Sequence, residues 1–234
     1  MTTLLIATRN AHKVGEIQAI LGAGFACRAL LKEFPGAPVA IEDADTFAGN
    51  ALKKAESLSV WLAGLSSDER STEGTRRTFI LADDSGLEVD ALGGAPGVHS
   101  ARFAAMESGH EGNSRDVDNN AKLLRLLAEV PQAKRTARFR CVLALVPVND
   151  GMADLPVGPD ARQRVPTTPQ LFEGACEGWI DFAPRGSGGF GYDPLFIPLG
   201  QEKSFAELGE SVKNGLSHRA KALAKLREWF SGGK

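Results

Sequence analysis

Cysteine is scarce in this chain, and its apolar residues never run long enough to cross a membrane. The three cysteines, Cys27, Cys141 and Cys176, are far apart and odd in number, which argues against a disulfide framework or a zinc knuckle. A reducing cytoplasm is the setting this usage predicts. Histidine is sparse too, and His12, His99 and His110 show no spacing that would build a zinc site, which sets zinc hydrolysis aside. Neither sign of charge dominates: 27 Lys and Arg against 29 Asp and Glu leave a formal net charge of -2, so no basic field draws the chain to nucleic acid. An anionic ligand must be met by local positive groups. The opening Met1-Thr2-Thr3-Leu4-Leu5-Ile6-Ala7 soon stops being apolar and lacks a charged leader, so it reads as a first strand and not as a signal peptide. No internal repeat is visible.

What is present is enough for a full core. With 234 residues, 43% hydrophobic and 24% charged, the chain can fold as one large domain or two lobes. Leu4 to Ala7 predicts a short strand; Asn10 then caps a helix with Val14, Ile17 and Leu21 on one face, ended by Gly22. Phe47, Ala51, Ala55, Leu58 and Leu62 predict a helix over about 46–62 with Gly64 past its end. A third helix is predicted over about 117–128, and Ala137 to Val146 is the strongest strand. Ser204 and Glu207 have capping-box spacing, and Ser217 precedes a last helix carrying Ala220, Leu223, Ala224 and Phe230. The segments 66–78 and 147–169 read as polar loops. Alternating strands and helices predict an α/β fold with a mixed sheet and helices around it.

Four segments could carry chemistry. In Thr8-Arg9-Asn10-Ala11-His12-Lys13, a hydroxyl, an amide and a lysine gather at a helix N-terminus, where unpaired N–H groups suit a phosphate; an ordinary helix cap reads the same way. The acidic pair Asp83-Asp84 follows the apolar run Phe79-Ile80-Leu81-Ala82, and Ser85-Gly86 reads as a turn into Leu87-Glu88-Val89-Asp90. Two like charges at the end of a buried strand need a cation or donors to hold them, and a divalent metal answers both needs. Magnesium takes one or two carboxylates plus substrate phosphates, which puts Asp84 forward, with Glu42 either a second ligand or a solvated charge. Lys54 is either a helix-face charge or a phosphate contact.

Gly186-Ser187-Gly188-Gly189-Phe190-Gly191 matches the dinucleotide-binding glycine spacing, yet Tyr192-Asp193-Pro194 leads into extended Leu195-Phe196-Ile197 where that fingerprint needs a helix. What remains is a glycine-rich turn, either a plain hairpin or a place where a ligand meets backbone, a stacking ring and an acid. The fourth segment is Lys213 with Ser217-His218-Arg219, donors at the start of the last helix that would suit a carbonyl oxygen or a phosphate.

Together the segments Ala7-Thr8-Arg9-Asn10-Ala11-His12-Lys13, Phe47-Ala48-Gly49-Asn50-Ala51, Ala82-Asp83-Asp84-Ser85-Gly86-Leu87, Gly93-Gly94-Ala95-Pro96-Gly97, Gly189-Phe190-Gly191-Tyr192-Asp193-Pro194 and Ser217-His218-Arg219 resemble the inosine triphosphate pyrophosphatase family, in family order over nearly the whole chain. The resemblance implies one domain over residues 1–234 with a long central sheet, two lobes and an active-site cleft between them, and a homodimer that uses magnesium. It implies hydrolysis of inosine, deoxyinosine or xanthosine triphosphate to the monophosphate and pyrophosphate. It assigns Thr8, Asn10, Lys13 and Lys54 to the phosphates, Asp84 to metal binding and water activation, and Glu42 to the metal. It lines the nucleotide site with Ser85, Phe190, Gly191, Tyr192, Asp193, Lys213, His218 and Arg219, with Phe190 stacked on the purine. The family often has glycine where Arg9 stands and glutamate where Gly49 stands, so neither receives a role.

Charge dictates the mechanism this implies. A nucleoside triphosphate repels hydroxide until magnesium and lysines cancel its charge. Hypoxanthine and xanthine offer a 6-oxo acceptor where adenine offers an amino donor, so donors from His218-Arg219 would favour the former by roughly 10⁴. Two alternatives stand beside this reading. The related septum-formation inhibitors would act on pyrimidine triphosphates, but the Gly189-Phe190-Gly191 and Ser217-His218-Arg219 segments favour purines; a nucleotide-binding protein without catalysis is the other.

Overall fold

The computed structural model describes residues 2–8, 10–65, 78–109, 112–148 and 168–232. Arg9, His110 and most of the two segments read as polar loops lie outside the described residues. In chain order the elements are β1 Thr2–Ile6, α1 Ala11–Leu21, β2 Phe25–Ala29, the single turn α2 Leu30–Glu33, α3 Phe47–Ala63, β3 Thr78–Val89, the short α4 Ala105–Ser108, α5 Asp116–Leu126, β4 Thr136–Pro147, β5 Gln170–Ile180, β6 Phe196–Pro198, α6 Phe205–Leu216 and α7 His218–Phe230. The strands form one sheet in the order β2-β1-β3-β4-β5-β6. β1 pairs in parallel with β2 and β3, Leu4 lying opposite both Cys27 and Phe79, whereas β5 and β6 are antiparallel with Trp179 opposite Ile197. The fold is therefore α/β with a mixed sheet and flanking helices, as the element pattern predicts.

Local chemistry accounts for the helix ends. Asn10 Oδ1 accepts from the N–H groups of His12 and Lys13 and starts α1, and Thr46 Oγ1 accepts from Gly49 N–H at the start of α3. Ser204 and Glu207 form the full reciprocal capping box of α6. Ser217 Oγ accepts from Ala220 N–H at the head of α7.

The chain divides into two compact units. Unit 1 comprises residues 1–84, 142–172 and 223–234; unit 2 comprises 85–141 and 173–222. In unit 1, Leu4, Leu5, Ile6, Ile17, Ala51, Ala55, Ile80 and Leu81 are fully buried. The rings of Phe25, Phe79, Trp229 and Phe230 meet edge-on at 4.8–6.4 Å and anchor the end of α7. In unit 2 the core joins Leu87, Val89, Leu123, Phe139, Tyr192, Phe196 and Phe205. Burial of each such side chain contributes about 1.5–3 kcal/mol.

One local expectation is corrected. Asp83-Asp84-Ser85-Gly86 is not a strand end followed by a turn: β3 runs unbroken through it for 12 residues. Both carboxylates sit inside a buried strand, Asp83 1% and Asp84 6% exposed. The strand tolerates them because lysines from two helices are bonded to them.

Candidate active site

The acidic pair of unit 1 is held by two lysines. Lys13, in the first turn of α1, donates to Asp83 Oδ1 at 2.5 Å. Lys54, one turn beyond buried Asn50 on α3, donates to the Asp83 carbonyl at 3.0 Å and to Asp84 Oδ1 at 3.2 Å, and its Nζ lies 3.2 Å from Glu42 Oε2. Burial alone would push the Lys54 ammonium down; the charges of Asp84, Glu42 and Asp83 overcome it and hold the lysine above its ordinary value. For Asp84, burial outweighs Lys54 and Lys13, and its carboxyl is raised. The two partners thus move in the same direction, because Lys54 has three carboxylates to hold it while Asp84 answers mainly to desolvation. Asp84 Oδ2 is buried and has no hydrogen-bond partner among the described residues.

The turn from β1 to α1 belongs to the same unit. Thr8 Oγ1 accepts from Asn10 N–H at 3.1 Å, and Asn10 Oδ1 is used in the cap. What these residues can offer an anion is the threonine hydroxyl and the asparagine Nδ2, beside the positive end of the α1 dipole; the His12 and Lys13 N–H groups are taken by the cap.

Unit 2 gathers the remaining predicted residues. Arg219 Nη2 donates to Ser85 Oγ at 3.3 Å, and Arg219 is only 1% exposed. Lys213 is buried, donates to Asp193 Oδ2 at 2.7 Å, and stands over the Phe190 ring at 4.2 Å from its centroid. Asp193 Oδ2 also accepts from Phe190 N–H at 2.9 Å, a contact so close that a Cβ on Gly189 would lie 2.2 Å from that oxygen. His218 is stacked on Phe139 at 4.9 Å with planes 14° apart. Tyr192 differs from its neighbours in the motif: its ring is in the unit 2 core and its hydroxyl donates to the Ser100 carbonyl at 2.9 Å. Burial, with help from the Asp116 charge, raises that phenol. Cysteine chemistry is absent from both groups, and burial pushes the thiols of Cys27 and Cys176 up to about 11.

The donor set fits a hard divalent cation. Lys13 and Lys54 against Glu42, Asp83 and Asp84 leave one net negative charge when all are ionised, which repels a polyphosphate. A cation at the unpartnered Asp84 Oδ2 with Glu42 would reverse that. Among the described residues no three His, Cys, Asp or Glu side chains form a metal-holding group. Magnesium needs no such cage, since it takes one or two carboxylates and fills its shell with water and phosphate oxygens.

The sequence pattern of the Ham1 family matches residues 4–229. The chain belongs to the Ham1 family. It is 44% identical to a dITP/XTP pyrophosphatase of Geobacillus kaustophilus over an alignment covering 100% of this chain and 98% of that protein. A second dITP/XTP pyrophosphatase, from Desulforamulus reducens, is 45% identical, with 96% of this chain and 94% of the relative covered. The solved structure of the Staphylococcus aureus Ham1 protein superposes with a TM-score of 0.73 at 30% identity, covering 100% of both chains. A HAM1 protein from Coxiella burnetii gives 0.72 at 32% identity, covering 99% and 100%.

Five residues of this Ham1 chain have structural relationships to these groups that sequence reasoning missed. Asp83 is the partner of Lys13. Asn50 is fully buried, and its Oδ1 accepts from Ala44 N–H at 2.9 Å, fastening the segment that carries Glu42. Gly49 admits that segment, because a Cβ there would meet the Ala44 Cβ at 2.8 Å. Asp116 and Asn120 of α5 bond to Gly191. The only sequence signal for the last pair is their i,i+4 spacing, which places them on one helix face without naming what they face.

Proposed function

We propose that this Ham1 protein hydrolyses deaminated purine nucleoside triphosphates, those of inosine, deoxyinosine and xanthosine, to the monophosphate and pyrophosphate. The observation that carries the reading is the buried Asp84 Oδ2, without a hydrogen-bond partner among the described residues, beside Lys54 and Glu42. Relatives named dITP/XTP pyrophosphatase, at 40–45% identity over nearly the full chain, support it.

Asp84 and Glu42 would hold magnesium, which when bound supplies positive charge and Lewis acidity to the phosphate oxygens. Lys13, Lys54, Thr8 and Asn10, beside the positive end of the α1 dipole, bind the triphosphate and cancel the rest of its charge. The Asp84 carboxylate orients a water for in-line attack on the α-phosphorus and takes its proton, a task eased by the burial that raises its carboxyl. The new bond joins the water oxygen to the α-phosphorus, the α–β bridging bond breaks, and pyrophosphate leaves.

The unit 2 group reads the base. Lys213 covers one face of Phe190, so a purine stacks on the other. Arg219 and His218 donate to the 6-oxo group; an amino group in its place is a donor facing donors and cannot accept from them. Ser85, Gly191 and Asp193 complete the pocket, and Tyr192 contributes through its backbone. A homodimer working in a reducing cytoplasm belongs to the same reading; among the described residues no helix is long and apolar enough to cross a membrane.

The test is magnesium-dependent pyrophosphate release from inosine triphosphate, with adenosine, guanosine and uridine triphosphates beside it. Release chiefly from inosine triphosphate is expected. Release chiefly from uridine triphosphate, or from none, overturns the proposal.

A further inference from the structure

Gly191 is held by its backbone from both sides by one helix. Its N–H donates to Asp116 Oδ2 at 2.7 Å, and its carbonyl accepts from Asn120 Nδ2 at 3.0 Å. Those two groups belong to the two successive peptide planes that meet at the Gly191 Cα, so together the bonds fix its φ and ψ. The φ they fix is +63°, in the left-handed region that glycine enters without a penalty. Asp116 and Asn120 are one turn apart on α5, which puts them on a single face. The carboxylate stands in the helix's first turn, where the helix dipole favours negative charge. Asn120 is 8% exposed and its Oδ1 has no partner among the described residues, so its donated bond to Gly191 is the contact that orients the amide.

Rigidity at Gly191 passes directly to its neighbours. The peptide plane held by Asp116 carries the Phe190 carbonyl, and Phe190 N–H is tied to Asp193, which is tied in turn to Lys213. On the other side, Tyr192 is pinned in the core through Ser100. Phe190 is half-buried, and the two bonds to α5 add to the restraints on the Gly189–Asp193 turn.

We infer that Asp116 and Asn120 are positioning residues for base recognition: they touch no substrate, and they hold the turn so that Phe190 presents a fixed face to the purine. This rests on the assignment of Phe190 to the base made above. Loss of both bonds should weaken capture of the correct base more than the chemical step, which takes place at the unit 1 carboxylates.

The experiment compares wild type, Asp116→Ala/Asn120→Ala and Asp116→Asn with inosine and adenosine triphosphates, and records melting temperatures alongside. The double variant is expected to raise KM for inosine triphosphate by roughly ten- to a hundredfold, with a smaller change in kcat and a lower preference over adenosine triphosphate. Asp116→Asn, which keeps an oxygen for Gly191 N–H, should recover most of the affinity. An unchanged KM and preference, or a fall in kcat and melting temperature with KM unmoved, overturns the inference. If the wild type hydrolyses neither triphosphate, the proposed reaction fails, and the role of α5 is then decided by calorimetric binding of inosine triphosphate. Weaker binding by the double variant supports it; equal binding, or none to either protein, overturns it.

Discussion

Lys54 Nζ sits 3.2 Å from Asp84 Oδ1, while the other oxygen of the same carboxylate is buried without a hydrogen-bond partner among the described residues. One oxygen is neutralised by the protein, and under the proposed function the other is the one that would meet the metal. Asp84→Asn preserves an acceptor for Lys54 and removes the charge, so the fold should persist while turnover of inosine triphosphate falls by about 10²- to 10⁴-fold. Steady-state pyrophosphate release, with a melting curve to confirm folding, checks this. A variant within threefold of wild type would remove Asp84 from the chemistry.

The net negative charge of the group formed by Lys13, Lys54, Glu42, Asp83 and Asp84 predicts how nucleotide binding depends on metal. With a chelator present, inosine triphosphate should bind at least tenfold more weakly than with excess magnesium, because a polyanion then meets uncompensated carboxylates. Titration calorimetry under both conditions measures the difference, and equal affinity would contradict the assignment of Glu42 and Asp84 to a cation.

Phe190→Ala tests the other half of the reading. Stacking of a base on an aromatic ring contributes about 1–3 kcal/mol, so KM for inosine triphosphate should rise by about five- to a hundredfold with kcat less affected. Inorganic triphosphate, which has no base, serves as control: its competition against substrate should be the same in both proteins.

Asp90 provides a pH-dependent contribution to stability. Its carboxylate takes a two-pronged bond from Arg138 at 2.8 and 3.1 Å and another from Thr136 Oγ1 at 2.6 Å. The Arg138 bonds first, and then Thr136, hold the Asp90 carboxyl below its ordinary value. A depressed carboxyl contributes stability above its unfolded value of about 3.9 and loses it as pH falls through the folded value. The pair is partly exposed, so Asp90→Asn should cost no more than about 1 kcal/mol, or about 2–4 °C in Tm, at pH 7. The gap to wild type should close as pH falls below the usual carboxylate range. A constant gap across the series would show that the charge contributes nothing.

Much of the fold was legible because its signals are local. The Asn10 and Thr46 caps, the Ser204 and Glu207 box, and the apolar stripe of α3 are written within a few residues of where they act. Two features escaped, the first because its cause is remote in sequence and the second because its own residues blur its pattern. The unbroken course of β3 through Asp83-Asp84 depends on Lys13 and Lys54, which lie far off in sequence. β5 went unrecognised because two of its inward positions are Gly174 and Gly178, so its period-2 alternation of Phe172, Cys176 and Ile180 is interrupted by residues with no side chain. The site was legible as residue types on named segments. Which side chains spend their atoms on one another, as Asn10 does in its cap and Tyr192 in the core, was not.

Gly174 ties that hidden strand to α7, the helix whose first residues are proposed to read the base. A Cβ at this position would lie 2.0 Å from the His218 carbonyl oxygen and 2.6 Å from the Ala222 N, both backbone atoms of the first turns of α7. No rotamer relieves a contact with backbone, so Gly174→Ala must move the helix, the strand or both. Overpacking of this kind typically costs about 1–3 kcal/mol, which for a chain of this size lowers Tm by about 2–12 °C. The same displacement carries His218 and Arg219 with it, and Arg219 loses its 3.3 Å bond to Ser85. The expected result is therefore a double defect, a lower melting temperature and a reduced preference for inosine over adenosine triphosphate. The neighbouring outward position supplies the control: Ala175→Ser adds one atom on the opposite face of β5 and should leave the preference unchanged. If Gly174→Ala melts early yet selects its substrate as wild type does, α7 has shifted without disturbing base recognition, and the donors that read the 6-oxo group must be sought elsewhere than on its first turn.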